Sequence, residues 1–103
     1  MKTGFVTAYS TRRWTTLSDL TFAHLRTRLD GIVTVTEAEI KSTVGDIVRG
    51  LRIVAEPSGA VATAAWLHHR EELRDRFAVP DGPVVSIVSG GNLSPAALAE
   101  LLA

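Results

Sequence analysis

Three short apolar runs in this chain each hand over directly to a helix-start signal, and no other feature constrains the fold as much. Ile32–Val35 is β-branched throughout its apolar positions, the composition that a buried strand favours. Thr36-Glu-Ala-Glu39 follows at once as a capping box, with a threonine oxygen for the third helical amide and a glutamate reaching back. Ile40, Val44, Ile47, Val48 and Leu51 then recur at helical spacing. Arg52–Ala55 is the second run, ended by Glu56-Pro-Ser-Gly59; Pro57 suits a first helical turn, where its missing donor would be unpaired anyway. Ala60, Val61, Ala64, Ala65 and Leu67 continue as a small-residue helix. Val84–Val88 has the strongest strand composition, and Ser89-Gly-Gly-Asn92 breaks it before Ser94 and Pro95 open a last helix. Helices between successive strands imply parallel pairing through right-handed crossovers. The expectation is an α/β fold built on a three-stranded, mostly parallel βαβαβα unit.

Upstream of that unit, Ser18 is a candidate N-cap for a helix through about Leu29, with Leu20, Phe22, Ala23 and Leu29 as its apolar stripe and Asp30-Gly31 as its stop. Residues 1–16 read as a divergent arm with a short extended piece at Gly4–Ala8, and residues 17–103 as one segment of a domain. Pro80-Asp-Gly-Pro83 reads as a turn. A chain of 103 residues has room for one small domain. Eleven basic and eleven acidic side chains cancel, which removes any bulk attraction to nucleic acid or an anionic membrane. Zero cysteines exclude a disulfide scaffold, thiol chemistry and cysteine-ligated metal. No apolar run is long enough to span a bilayer, and the start lacks a signal-peptide core, so a cytoplasmic protein is expected.

The strand-to-helix junctions are where chemistry is expected. Ligands of open α/β sheets bind beyond the carboxyl ends of strands. Ser89 offers a hydroxyl that donates and accepts, while Gly90 and Gly91 let backbone approach a ligand; the same residues also suit a plain tight turn. Glu56 stands at a second junction, as a ligand contact or as a partner for the following helix N-terminus. His68-His69 with Glu71 and Glu72 lacks the i, i+4 histidine spacing of a helical zinc site, and reads as a solvated helix end with no metal. Arg12-Arg13 beside Trp14 on a neutral chain is weak evidence for phosphate contact.

Four segments together resemble a known family: Leu17-Ser-Asp-Leu-Thr-Phe22, Asp30-Gly-Ile-Val-Thr-Val-Thr-Glu-Ala-Glu-Ile40, Glu56-Pro-Ser-Gly-Ala60 and Val88-Ser-Gly-Gly-Asn92. Their order and spacing are similar to the carboxyl-terminal part of the pyridoxal-phosphate-dependent threonine dehydratases and serine racemases, of fold type II, the tryptophan synthase beta-like class. The resemblance implies a partial large domain of such an enzyme, with the cofactor in a cleft between two domains. It implies that Ser89 and Gly90 border the pyridine ring, Ser89 bonding its nitrogen, and that Glu56 borders the same pocket. A neutral hydroxyl partner moderates the electron sink compared with a carboxylate, which suits β-elimination.

The departures from the family pattern set the functional expectation. Lysine occurs only at Lys2 and Lys41, and neither stands in the family's Ser-x-Lys setting; the glycine loop for the cofactor phosphate and the acidic metal site have no counterpart. Where the family has Ala-Asp-Gly upstream, this chain reads Ser10-Thr-Arg-Arg-Trp14. The expectation is therefore a carboxyl-terminal fragment of a threonine or serine ammonia-lyase or racemase, with no catalytic residue of its own and inactive alone. Its expected partner is an amino-terminal enzyme fragment or a second copy. The alternative is a non-enzymatic binding or structural module that keeps the fold for a protein partner.

Overall fold

The computed structural model describes residues 18–77 and 82–103, together with the backbone of residues 6–10. Strand β1 (Val6–Ser10) pairs in parallel with β2 (Gly31–Val35), Val6 opposite Gly31 and Ser10 opposite Val35. Helix α1 (Asp19–Arg28) lies between them in sequence, as a parallel pair requires of its connection. Then come α2 (Glu37–Leu51), a 3-10 turn at Pro57–Ala60, α3 (Val61–Phe77) and α4 (Pro95–Leu102). The arrangement is that of a partial α/β unit, rich in helix.

Local signals place the helix ends as the sequence predicts. The Ser18 hydroxyl accepts from the Thr21 amide at the start of α1, and the Ser94 hydroxyl accepts from the Ala97 amide at the start of α4. At α2 the capping box closes both ways: the Glu39 amide donates to the Thr36 hydroxyl at 3.1 Å, and the Thr36 amide donates to the Glu39 carboxylate at 2.9 Å. Each such contact satisfies an amide that the helix leaves unpaired.

Two small apolar clusters hold these elements together. Val33 and Val35 of β2, Ile40 of α2 and Ala64, Ala65 and Leu73 of α3 form the first, with Trp66 and Phe77 packed at its border. Ile32 and Thr34 alternate outward, so β2 offers the core one face only. Val44 and Ile47 of α2, Ala55 and Ala60 form the second, with Val88 and Leu101 against it. Helix α2 spans both clusters because Ile40, Val44 and Ile47 lie three or four residues apart on one face.

The three-stranded unit is corrected in its membership. The sheet of the described residues has two strands, and the second is β1, from the segment read as an arm. Its strand is Val6–Ser10, which continues past the expected end at Ala8; Gly4 and Phe5, like Arg12, Arg13 and Trp14 and the Pro80–Asp81 half of the expected turn, lie outside the described residues. The runs 52–55 and 84–88 contain no regular strand. A run becomes a strand only when a neighbour pairs its amides and carbonyls. Among the described residues these two runs are tied instead just beyond their ends, at Glu56–Gly90 and Gly59–Ser89. Apart from Ala55 and Val88, which join the second cluster, their apolar side chains are left largely exposed, Val85 at 87% and Ile87 at 76%.

Helix α1 is the other correction. Its span and cap are as expected, but the proposed stripe buries nothing: Leu20 is 71% and Phe22 54% exposed. Positions 20, 22 and 23 do not fall on one narrow face at 100° per residue, so no apolar ridge forms for a neighbour to cover.

Candidate functional site

The two junctions singled out in the sequence come together. The Glu56 amide donates to the Gly90 carbonyl, the Ser89 amide donates to the Gly59 carbonyl at 3.3 Å, and the Gly59 amide donates back to the Glu56 carbonyl at 2.9 Å. Residues 56–59 and 89–90 thus form one knot of backbone, although thirty residues separate them. Anchoring comes from either side: Ala55 and Ala60 are fully buried in the second cluster, and Val88 packs against it.

Two glycines make the approach close enough. Gly90 has φ +71°, a left-handed conformation that costs glycine little, and a methyl group there would run into the Glu56 side chain. At Gly59 a methyl group would run into the Ser89 carbonyl. The Glu56 side chain therefore lies over Gly90, where its carboxylate accepts a hydrogen bond from the Ser58 hydroxyl at 3.1 Å. Ser89 is exposed, and no described residue bonds its hydroxyl. A hydroxyl at Ser89 and a carboxylate over the adjacent Gly90 can offer a ligand one donor-acceptor group and one acceptor.

Relatives of this chain can now be set beside that geometry. Over 88 residues it is 34% identical to the serine racemase of Dictyostelium discoideum, a match covering 85% of this chain and 26% of that protein. Over 76 residues it is 33% identical to an L-threonine dehydratase biosynthetic IlvA of Staphylococcus epidermidis, covering 74% of this chain and 17% of that protein. A Staphylococcus aureus L-threonine dehydratase of the same name is 32% identical over 76 residues, with the same 74% and 17% coverage. The chain belongs to the threonine dehydratase and serine racemase family. It spans about a quarter or less of the length of these relatives. No family model matches it. Among the described residues, no helix is long and apolar enough to cross a membrane.

One cluster escaped the sequence reading. His69 is not a freely solvated residue of a helix end: its side chain is 24% exposed and stands between two carboxylates. Its Nε2 lies 3.0 Å from Glu39 of α2, and its Nδ1 lies 3.2 Å from Glu72 of α3. Arg76 donates to the other Glu72 oxygen at 2.7 Å. The hydrogen bond to Glu39, opposed by partial burial and reinforced by both carboxylates, holds the His69 pKa above its ordinary value. Burial pushes Glu39 up, but the His69 contact and the Thr36 amide outweigh it and its pKa is lowered. Arg76 first, then His69, lower Glu72. The spacing of Glu72 from His69 on one helix was a legible signal; Glu39, thirty residues away, was not. His68, by contrast, is exposed as expected, and among the described residues no group of three or more histidine or acidic side chains is arranged to hold a metal ion.

Proposed function

We propose that this chain is the carboxyl-terminal segment of a pyridoxal-phosphate-dependent threonine or serine ammonia-lyase, supplying the pyridine-nitrogen side of the cofactor site. The observation that carries the reading is the Glu56–Gly90 and Gly59–Ser89 knot at the carboxyl ends of two extended apolar runs, with a serine hydroxyl that no described residue bonds. Those residues fit such a group: Ser89 can bond a ring nitrogen without forcing its protonation, and Gly90 keeps the surface beside it low. The cofactor, when bound, supplies an electron sink for bonds at the amino-acid α-carbon. Ser89 would hold and orient the ring nitrogen, and Glu56 would border the same site. The amine-bearing lysine and the phosphate-binding loop come from the portion of the fold outside these residues. Lys41 does not replace that lysine, because it is an exposed residue on the flank of α2.

The partner we assign is that amino-terminal portion. The outward, apolar Val85 and Ile87 support it, since both faces of a parallel α/β sheet are ordinarily covered. The same faces support a second reading, a non-enzymatic module that uses them to bind a protein or another copy of itself. A cytoplasmic location is part of the same proposal.

Mixing the chain with an amino-terminal segment of a family enzyme that carries the lysine and glycine loop tests the first reading. Recovery of cofactor absorbance and of ammonia release from threonine or serine is expected, and neither is expected from the chain alone. A stable complex without recovered turnover favours the binding module. No complex, with a self-associated chain by light scattering, overturns the assigned partner.

A further inference from the structure

We propose that His69 is a proton-operated latch: as an imidazolium it ties the start of α2 to the second half of α3, and on losing its proton it releases that half. The latch does not rest on the cofactor reading.

The hydrogen-bond inventory carries the argument. Both ring nitrogens face carboxylate oxygens, Nε2 toward Glu39 at 3.0 Å and Nδ1 toward Glu72 at 3.2 Å. An ionised carboxylate only accepts, so both contacts are hydrogen bonds only when both nitrogens carry protons. A neutral ring keeps one proton, and its other lone pair then faces an oxygen lone pair. Both carboxylates are already engaged as acceptors: Glu39 by the Thr36 amide at 2.9 Å and Glu72 by Arg76 at 2.7 Å. Neither is poised to donate in place of the ring.

The side chain that lets go is Glu72. It retains Arg76 and is the more exposed of the two at 42%, against 24% for Glu39, so it has an alternative in water and guanidinium. The charged groups around the ring are Glu39 from α2 and, from α3, Glu72 with Arg76 behind it; His68 acts on Glu39. Of the other elements packed on α3, Gly31–Val35 and Pro57–Ala60 carry no titratable side chain, and β1 carries Tyr9.

Backbone geometry supplies something for the latch to hold. His69 has φ −127° and ψ 28°, outside helical values, so α3 is two helical pieces joined at this residue. The first piece is seated by the buried Ala64 and Ala65, and the second by Leu73 and by Phe77 at the border of the first cluster. The Glu39–His69–Glu72 chain crosses the joint from outside and fixes the second piece against α2. Releasing Glu72 leaves residues 70–77 held by Leu73, by Phe77 and by the Arg70 and Arg74 guanidinium groups over the Trp66 ring.

Hydrogen exchange of residues 70–77 in the full chain, corrected for intrinsic rates, at about pH 5.5 and about pH 8.5, tests this together with an NMR titration of the His69 ring. Protection of 70–77 is expected to fall about tenfold between the two, with the midpoint of the ring resonance, while residues 40–47 keep theirs. His69→Gln is expected to show the weaker protection at both values. Should that variant fail to fold, Glu72→Gln, altered at an exposed position, is expected to remove most of the pH dependence. Equal wild-type protection at both values, or a change whose midpoint differs from that of the His69 ring, overturns the latch.

Discussion

The Glu56 amide donates to the Gly90 carbonyl, and that bond, with Glu56 folded over Gly90 and the Ser89 amide on the Gly59 carbonyl beside it, joins the ends of two extended runs. A left-handed glycine is required on one side of it and a glycine open to a neighbouring carbonyl on the other.

Glycine substitutions should therefore differ in sign by position. Gly90→Ala puts a side chain at φ +71° against Glu56 and should lower stability by about 1–3 kcal/mol. Gly59→Ala meets a backbone carbonyl that cannot rotate away, and should cost about 1–3 kcal/mol or more. Gly50, near the end of α2, has nothing within 4 Å of an added methyl group, so Gly50→Ala should stabilise by about 0.5–1 kcal/mol. Urea denaturation of the three variants checks the pattern; a stabilising Gly90→Ala would contradict it.

Removing the α2 cap should be felt throughout the domain, because α2 serves both clusters. Thr36→Ala loses the bond to the Glu39 amide and should cost about 1 kcal/mol, whereas Thr36→Ser keeps the oxygen and should cost only a few tenths. Chemical denaturation midpoints of the two variants would separate a capping loss from a loss of β-branched packing, which would weaken both.

Stability should be highest in a mildly acidic window. The His69 pKa is raised, so its contribution is complete below the unfolded value of about 6.5 and fades as pH rises through the higher folded value. The pKa values of Glu39 and Glu72 are lowered, so their contribution is complete above the unfolded value of about 4.3 and fades as pH falls through the lower folded values. Thermal melts across pH should show a dome whose alkaline limb is flattened in His69→Gln. A wild-type melting point that climbs steadily from neutral to alkaline pH would contradict the sign.

The outward apolar pair separates folding from assembly. Val85 and Ile87 are largely exposed in the chain, so Val85→Thr with Ile87→Thr should change its stability by about 0.5 kcal/mol or less. The same double variant should weaken capture of an amino-terminal family segment by about tenfold or more, since two apolar side chains lose their burial there. Titration calorimetry and a melt on one preparation measure both quantities; a large loss of stability with unchanged capture would place the pair in the core instead.

Much of the local structure was written in adjacent residues. The capping box at Thr36–Glu39, the caps at Ser18 and Ser94 and the apolar face of α2 all depend on contacts within four residues, and all stand where the sequence places them. That residues 56–59 and 89–90 close junctions was readable as a local pattern of apolar run, glycine and cap, while the family relationship rests on 33–34% identity over most of the chain.

What only tertiary structure decided is which distant groups meet. The apolar runs 84–88 and 6–10 differ in β-branched content, yet the weaker one became the strand, because β2 supplied it with a backbone ladder. Val84–Val88 has the composition of a strand and, among the described residues, no ladder to join, so its outer side chains remain exposed. Glu39 and His69 follow the same rule: one was readable as a capping residue and the other as a charged helix position, and packing α3 on α2 brought them to 3.0 Å. Short-range hydrogen bonds and side-chain spacing are encoded within a turn or two of chain, whereas pairing across thirty residues is selected by the free energy of the whole packed arrangement.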